Sequence, residues 1–476
     1  MKNKNKIEFG DFQTPQDLSD KVCNLLVRQG VNPITVIEPT CGKGNFVFSS
    51  LKEFKNFKQI ICNEINPTYV QELIKDDRFQ KSKKNLKLMN EDFFLIDWEN
   101  LSRQIKEPIV FIGNPPWVTN STLGAIKGSN LPEKNNFLGL KGFDALTGGS
   151  NFDISEAMLI GMVNILKYKE GYIAMLIKTS VARKVLAYIW KNNIGISESS
   201  IYHLDATKSF DVSVDACLFF CEFSKEKTVN FDTKIFSSLD SKMPDKIIGY
   251  RDNQLVADIE AYNRIASFVG IQKDYVWRSG IKHDCSKVME LTKKGDKYIN
   301  GFDEQVDIEE TFLYPMLKSS DVANNREPSR WVIVTQKKVG ENTEIINKIA
   351  PKTWKYLLSY SDFLDKRGSS IYKKNVRFSI FGVGEYTFSD WKIAISGFYK
   401  NPLFRIVGKN YGKPTVFDDT CYFLPCRTRG DAEEVVSILN SQIGKDFINA
   451  FAFWDSKRPI TSNFLNKINI HKVFKM

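Results

Sequence analysis

The chain has 476 residues, 42% of them hydrophobic and 13% aromatic, with a formal net charge of +11. This length is too great for one core and implies two or three domains, while the basic excess points to a polyanionic partner, most simply nucleic acid, or else reflects only the abundance of Lys, Asn and Ile expected of an A/T-rich genome. Eight cysteines without a CxxC pair, and only three histidines, argue against a zinc site or a disulfide scaffold.

The first residues, MKNKNKIEFGDFQTP, are basic but lead into no apolar stretch of the kind a signal peptide needs. No later apolar run approaches a membrane span, so a cytoplasmic protein without a membrane partner is expected. An amphipathic helix is predicted over Asp17–Arg28. Short apolar runs at Thr35–Ile37, Gln59–Cys62, Leu86–Met89, Ile109–Ile112, Tyr172–Ile177, Ile201–Leu204 and Ala216–Phe223 read as buried strands, and Ile154–Tyr168 as another helix. Strands alternating with helices predict a mostly parallel, doubly wound sheet of Rossmann type, with ligands bound beyond the carboxyl ends of its strands. Residues 118–152 interrupt this rhythm with a Gly-, Ser- and Asn-rich stretch, the signature of a functional or disordered loop. Residues 1–230 are thus expected to form one domain, 231–270 a connector with one helix at Leu255–Ser267, and 271–476 a separate α+β domain.

The chemistry concentrates at the strand ends. The first strand runs into Glu38-Pro39-Thr40-Cys41-Gly42-Lys43-Gly44, an acidic residue followed by a glycine turn that opens a helix. Glycines there let backbone amides approach a ligand, although an ordinary tight turn has the same pattern. The second strand ends at Glu64, at the spacing where a carboxylate accepts ribose hydroxyls of a nucleoside. The third ends in Asp92-Phe93, which can receive an adenine ring or, equally, serve as a helix cap and a core residue.

The fourth strand ends in "FIGNPPW", residues 111–117. A base amino group is a weak nucleophile because its lone pair is delocalised into the ring. Two acceptors on its N–H bonds favour a geometry that frees that pair. Asn114 offers a carboxamide oxygen and Pro115 a backbone carbonyl, while Pro115 and Pro116 hold both rigidly. Trp117 can stack on the base, which must first be flipped out of a duplex. A sulfonium methyl donor is already activated, so this chemistry calls for no metal.

These motifs in this order resemble the gamma group of adenine-N6 DNA methyltransferases of type II restriction–modification systems, the TaqI-like enzymes. Gly10-Asp11-Phe12-Gln13-Thr14-Pro15 matches the family's N-terminal Thr-Pro segment. The glycine loop, the acidic strand end, the Asp-Phe pair and Asn-Pro-Pro-aromatic follow, and a target-recognition domain closes the chain. The resemblance implies a class I methyltransferase fold and S-adenosylmethionine contacts at Thr14, Pro15, Glu38, Thr40, Cys41, Gly42, Gly44, Glu64, Ile65, Asp92, Phe93 and Asn114. It implies a second base-stacking aromatic, matched here by Phe210, which core packing would explain as well. Lys43 departs from the small residue common in the family's loop; pointing to solvent would account for it.

The resemblance further implies double-stranded DNA as substrate, a separate cognate endonuclease, a bacterial or archaeal cytoplasm and action as a monomer. In the second half, Phe378–Tyr386 and Trp391–Tyr399 read as strands around a glycine turn. Lys457 and Arg458, in the basic stretch "FWDSKRPIT", are the candidate DNA contacts. Two alternatives stand beside this reading. One is an RNA or protein-glutamine methyltransferase, which shares an NPP motif but generally lacks the Thr-Pro segment and a large second domain. The other is a catalytically dead recognition subunit, which would have no reason to keep Glu64, Asn114, Pro115 and Trp117.

Overall fold

The computed structural model describes residues 12–118, 153–226 and 228–474. The expected loop at 118–152 therefore falls outside the described residues except for Val118, as do Gly10 and Asp11. The chain divides into two compact units, Met1–Ile259 and Glu260–Met476.

In the first unit, helix α1 (Gln16–Arg28) buries Leu18, Val22, Cys23, Leu25 and Leu26 along one face. Then follow β1 (Thr35–Glu38), α2 (Asn45–Glu53), β2 (Gln59–Asn63), α3 (Pro67–Lys75), α4 (Asp77–Ser82), β3 (Leu86–Met89), α5 (Trp98–Gln104) and β4 (Ile109–Gly113). The unit continues with α6 (Ile154–Leu166), β5 (Gly171–Lys178), α7 (Thr179–Lys191), β6 (Ile196–Asp205), α8 (Ala206–Phe210) and β7 (Asp215–Phe223). All seven expected strands are present, within a few residues of their predicted ends. Every residue of β1 and β4 is buried, as an unbroken apolar run predicts for strands covered on both faces.

Three further strands extend this sheet: β8 (Asp232–Phe236), β9 (Lys246–Arg251) and β10 (Gln254–Val256). The order is β10-β9-β8-β6-β7-β5-β4-β1-β2-β3. Strands β3, β2, β1, β4 and β5 run parallel, and β7 lies antiparallel between β5 and β6. Residues 231–256, expected as connector, thus belong to the central sheet. Their strands carry apolar residues mainly in short pairs, Ile235-Phe236, Ile247-Ile248 and Leu255-Val256, interrupted by Asp, Lys and Arg, as suits strands towards a sheet edge. The expected helix at Leu255–Ser267 is shorter, Ile259–Ile265, with a 3-10 turn after it.

The second unit is α+β. A six-stranded sheet contains Glu290–Lys294, Leu313–Leu317 and Arg330–Ile333, and a four-stranded sheet is built on Trp391–Ser396 and Cys421–Cys426. Phe378–Tyr386, expected as a strand, is not one. Phe378 has a left-handed backbone (φ 60°), as does Gly382, and Glu385–Phe388 forms a 3-10 turn. A Cβ at Gly382 would lie 2.2 Å from the Gly280 carbonyl, so this close crossing needs glycine. Among the described residues, no helix is long and apolar enough to cross a membrane.

Candidate active site

The chain passes from one side of the sheet to the other between β1 and β4. This switch point is where an open α/β sheet leaves a crevice at its carboxyl edge. A cavity of about 520 Å³ lies there, within the range of small-molecule sites. It is lined by Thr14, Glu38, Thr40, Cys41, Gly42, Glu64, Ile65, Asp92, Phe93, Asn114 and Pro116 of the residues singled out in the sequence. Pro15, Gly44, Pro115, Trp117 and Phe210 are not part of its wall.

The glycine turn shapes one side. Gly42 and Gly44 both have positive φ, 51° and 81°. A Cβ on Gly42 would stand 2.5 Å from the Gln13 side chain, and one on Gly44 2.5 Å from Leu73. Neither position accepts a side chain without displacement. Glu64 braces this turn: one carboxylate oxygen accepts the Gly42 amide (2.7 Å) and the other the Asn66 amide (2.8 Å). Asn63 and Asn90, which the sequence reading did not single out, tie neighbouring strand ends together. Asn63 donates to the carbonyls of Pro39 and Glu91, and Asn90 to that of Glu64. Asp92 accepts the Phe94 amide at 2.9 Å, and Phe93 is buried against Trp98. The core role left open for Phe93 is therefore real, whereas Asp92 closes a local turn and caps no helix, the N-cap of α5 being Asp97; both residues also face the cavity. Lys43 is half exposed and pairs with Glu72 at 3.5 Å.

The N-terminal segment closes the opposite side. Asn114 Nδ2 donates to the Phe12 carbonyl (2.9 Å) and Asn45 Nδ2 to the Thr14 carbonyl (2.6 Å), while Gln13 accepts the Lys43 amide (3.0 Å). These bonds draw residues 12–14 from a distant part of the chain onto the cavity. They also fix the Asn114 amide: with its nitrogen committed, Oδ1 is left buried and without a hydrogen-bond partner among the described residues.

Trp117, at the end of the proline pair, is buried, at 7% exposed. Its indole donates to the Leu176 carbonyl of β5 at 3.0 Å. Phe210 meets it edge to face, with centroids 5.1 Å apart at 72°. The structure thus brings the two candidate stacking rings together, but in mutual contact. A base between parallel rings needs about 7 Å, twice a normal contact distance, so the rings must separate to admit one.

Four carboxyl side chains, Glu38, Glu64, Glu91 and Asp92, line the cavity, and among the described residues no Lys, Arg or His does. Glu38 is 3% exposed, and its Oε2 has no partner among the described residues. Burial, reinforced by Cys62 and Glu64, holds its carboxyl well above the usual range, against a smaller opposing effect of the Val47 amide. A cavity walled by carboxyls suits a cationic ligand, whose arrival would also favour the charged form of Glu38. The sign of the pH effect follows. The folded protein keeps a proton on Glu38 that the unfolded chain releases, so stability falls as pH rises above the ordinary carboxyl range, until the buried group itself ionises. Glu38→Gln is therefore expected to raise the melting temperature of the ligand-free protein at pH 8 and to weaken S-adenosylmethionine binding. A lower melting temperature at pH 8, measured by calorimetry, would contradict this.

The strand order, the antiparallel β7 and an acid-lined cavity at the switch point define a class I methyltransferase, whose cofactor is S-adenosylmethionine. No protein-family model matches the chain. It is 47% identical over 475 residues to the type II methyltransferase M.NspV of Nostoc sp. (strain ATCC 29411 / PCC 7524), covering 99% of this chain and 98% of that protein. The chain belongs to the type II methyltransferase family, the DNA methyltransferases of restriction–modification systems. It is also 28% identical over 182 residues to the type II methyltransferase M.BanIII of Aneurinibacillus aneurinilyticus, covering 34% of this chain and 31% of that one. Among solved structures, the type IIL restriction–modification enzyme MmeI in complex with DNA matches 98% of this chain and 65% of its own, with a TM-score of 0.55 at 13% identity. That likeness speaks for the fold alone.

Proposed function

We propose that this chain is a site-specific adenine-N6 DNA methyltransferase of the gamma group. The observation that carries the reading is the Asn114 carboxamide: its nitrogen is held by Phe12, and its oxygen is buried and unpartnered beside an acid-lined cofactor cavity. S-adenosylmethionine supplies a methyl group on a positively charged sulfur. Asn114 Oδ1 and the Pro115 carbonyl accept the two N–H bonds of an adenine amino group flipped from the duplex, and the proline pair keeps both oxygens from relaxing away. Glu64 takes the ribose hydroxyls while bracing the glycine turn. Asp92 and Phe93 receive the cofactor's adenine. Thr14, Pro15, Thr40, Cys41, Gly44 and Ile65 complete the cofactor shell. Trp117 stacks on the target base, with Phe210 on the opposite face once the rings part.

The second unit would read the DNA sequence, and a separate endonuclease would cut unmodified sites. Lys457 is exposed, and Arg458 pairs with Asp419 at 3.1 Å while lying over the Phe398 ring. Arg458 must exchange that partner to reach a phosphate, which leaves Lys457 the more available cation. Lys457→Ala should weaken DNA binding similarly at all sequences and reduce the slope of log affinity against log salt by about one. An unchanged slope in salt titrations would remove Lys457 from the interface. The reading as a whole is tested by producing the protein in a host without adenine methylation and sequencing the genomic DNA for modified bases. Modified adenine in one recurring sequence is expected; modified cytosine, or no modified base, would oppose it.

A further inference from the structure

The carboxyl end of β5 carries Lys178, a residue that neither the motifs nor the mechanism above employs. Its side chain is 19% exposed and its Nζ sits 2.7 Å from Asp153 Oδ2, whose own side chain is 5% exposed. The same Nζ donates to the main-chain carbonyl of Trp117 at 3.2 Å. Asp153 is fixed in turn, because its Oδ1 accepts both the amide and the hydroxyl of Ser155 in the first turn of α6. Beside this group, the Ile154 amide donates to the Val118 carbonyl at 3.0 Å.

Trp117 is therefore held to β5 at two points. Its indole nitrogen binds the Leu176 carbonyl and its own carbonyl binds the Lys178 ammonium. A long lysine can reach many acceptors, so its placement here has to be explained. An ammonium this poorly hydrated needs a charged partner, which Asp153 provides. The second bond, to Trp117, then has low-dielectric strength. The outcome is a rigid end to the Asn-Pro-Pro-Trp segment: prolines on one side, an ion pair on the other.

We infer that Lys178, held by Asp153, is a positioning residue for methyl transfer, acting through Trp117 to fix the wall on which the target base stacks. This rests on the reading of Trp117 as a base-stacking residue. Lys178 touches neither cofactor nor base in this scheme, so its loss should misplace the base without altering the cofactor cavity. Misplacement of reacting groups by about 1 Å is known to lower rates about 10²-fold.

The test uses the full chain, unmethylated genomic DNA and labelled S-adenosylmethionine. Lys178→Met is expected to lower kcat about 10²-fold with the cofactor dissociation constant unchanged, and Lys178→Arg, which can still bridge both acceptors, should recover most of the rate. If Lys178→Met does not fold, Asp153→Asn keeps the oxygen that caps α6 and removes the ion pair; the same selective loss of kcat is expected. An unchanged kcat in whichever variant folds, or a cofactor affinity that falls in step with kcat, would overturn the proposal. Nucleoside analysis of the wild-type reactions separates the two layers. A wild-type product that is not a methylated DNA base removes the stacking role and the proposal with it. N6-methyladenine from the wild type alongside an unaffected variant overturns the Lys178 role alone.

Discussion

Asn114→Ala should reduce methyl transfer by about 10²–10³-fold or more, the cost of deleting one preorganised polar group aimed at a reacting centre, while S-adenosylmethionine still binds. The side chain carries two separate tasks. Its nitrogen holds the Phe12 carbonyl, and its buried oxygen makes no bond among the described residues. Only the second is argued to act on the base. Loss of the first leaves the Phe12 carbonyl short of a donor, at a stability cost of about 1–3 kcal/mol, which a melting curve will report separately. Single-turnover methylation and calorimetric cofactor titration together decide the matter. Near-wild-type turnover would remove Asn114 from the chemistry. Loss of cofactor binding in proportion to turnover would make it a binding residue instead.

A fragment ending after Ile259 should bind S-adenosylmethionine much as the full chain does, yet select no DNA sequence. The sequence alone would put the cut near residue 230. That cut would remove β8, β9 and β10, of which β8 pairs directly with β6, and expose an apolar edge of the main sheet. Ile259 itself is buried, and a Cβ on Gly249 would lie 2.6 Å from its Cδ1, so it belongs with the first unit. Cofactor titration of the 259-residue fragment and competitive binding to mixed DNA duplexes provide the check. A fragment that still chose one sequence would place recognition in the first unit.

The sheet was legible because its strands are continuous apolar runs and its turns are marked by glycines that admit no side chain. Most of the cavity wall was legible for the same reason: Glu38, Glu64, Asp92 and Asn114 each follow the last apolar residues of a strand, and strand ends converge in this topology. Three things were not. The strands at 232–256 carry their apolar residues mainly in pairs, too short a run to stand out from a linker. Asn63 and Asn90 act by spanning strands that only the fold brings together. The burial of Trp117 depends on the Leu176 carbonyl and Phe210, residues far along the chain whose arrival next to the Asn-Pro-Pro turn no local pattern announces.

The central claim, that the buried Asn114 oxygen serves an adenine amino group, is tested most directly by mass spectrometry of nucleosides. The purified protein is incubated with unmethylated DNA and S-adenosylmethionine carrying a heavy methyl group, and the DNA is digested. The account predicts the label in N6-methyl-2′-deoxyadenosine and in no other nucleoside. Label in N4-methyl-2′-deoxycytidine would contradict it, as would DNA that stays unlabelled while an RNA or protein substrate acquires the methyl group.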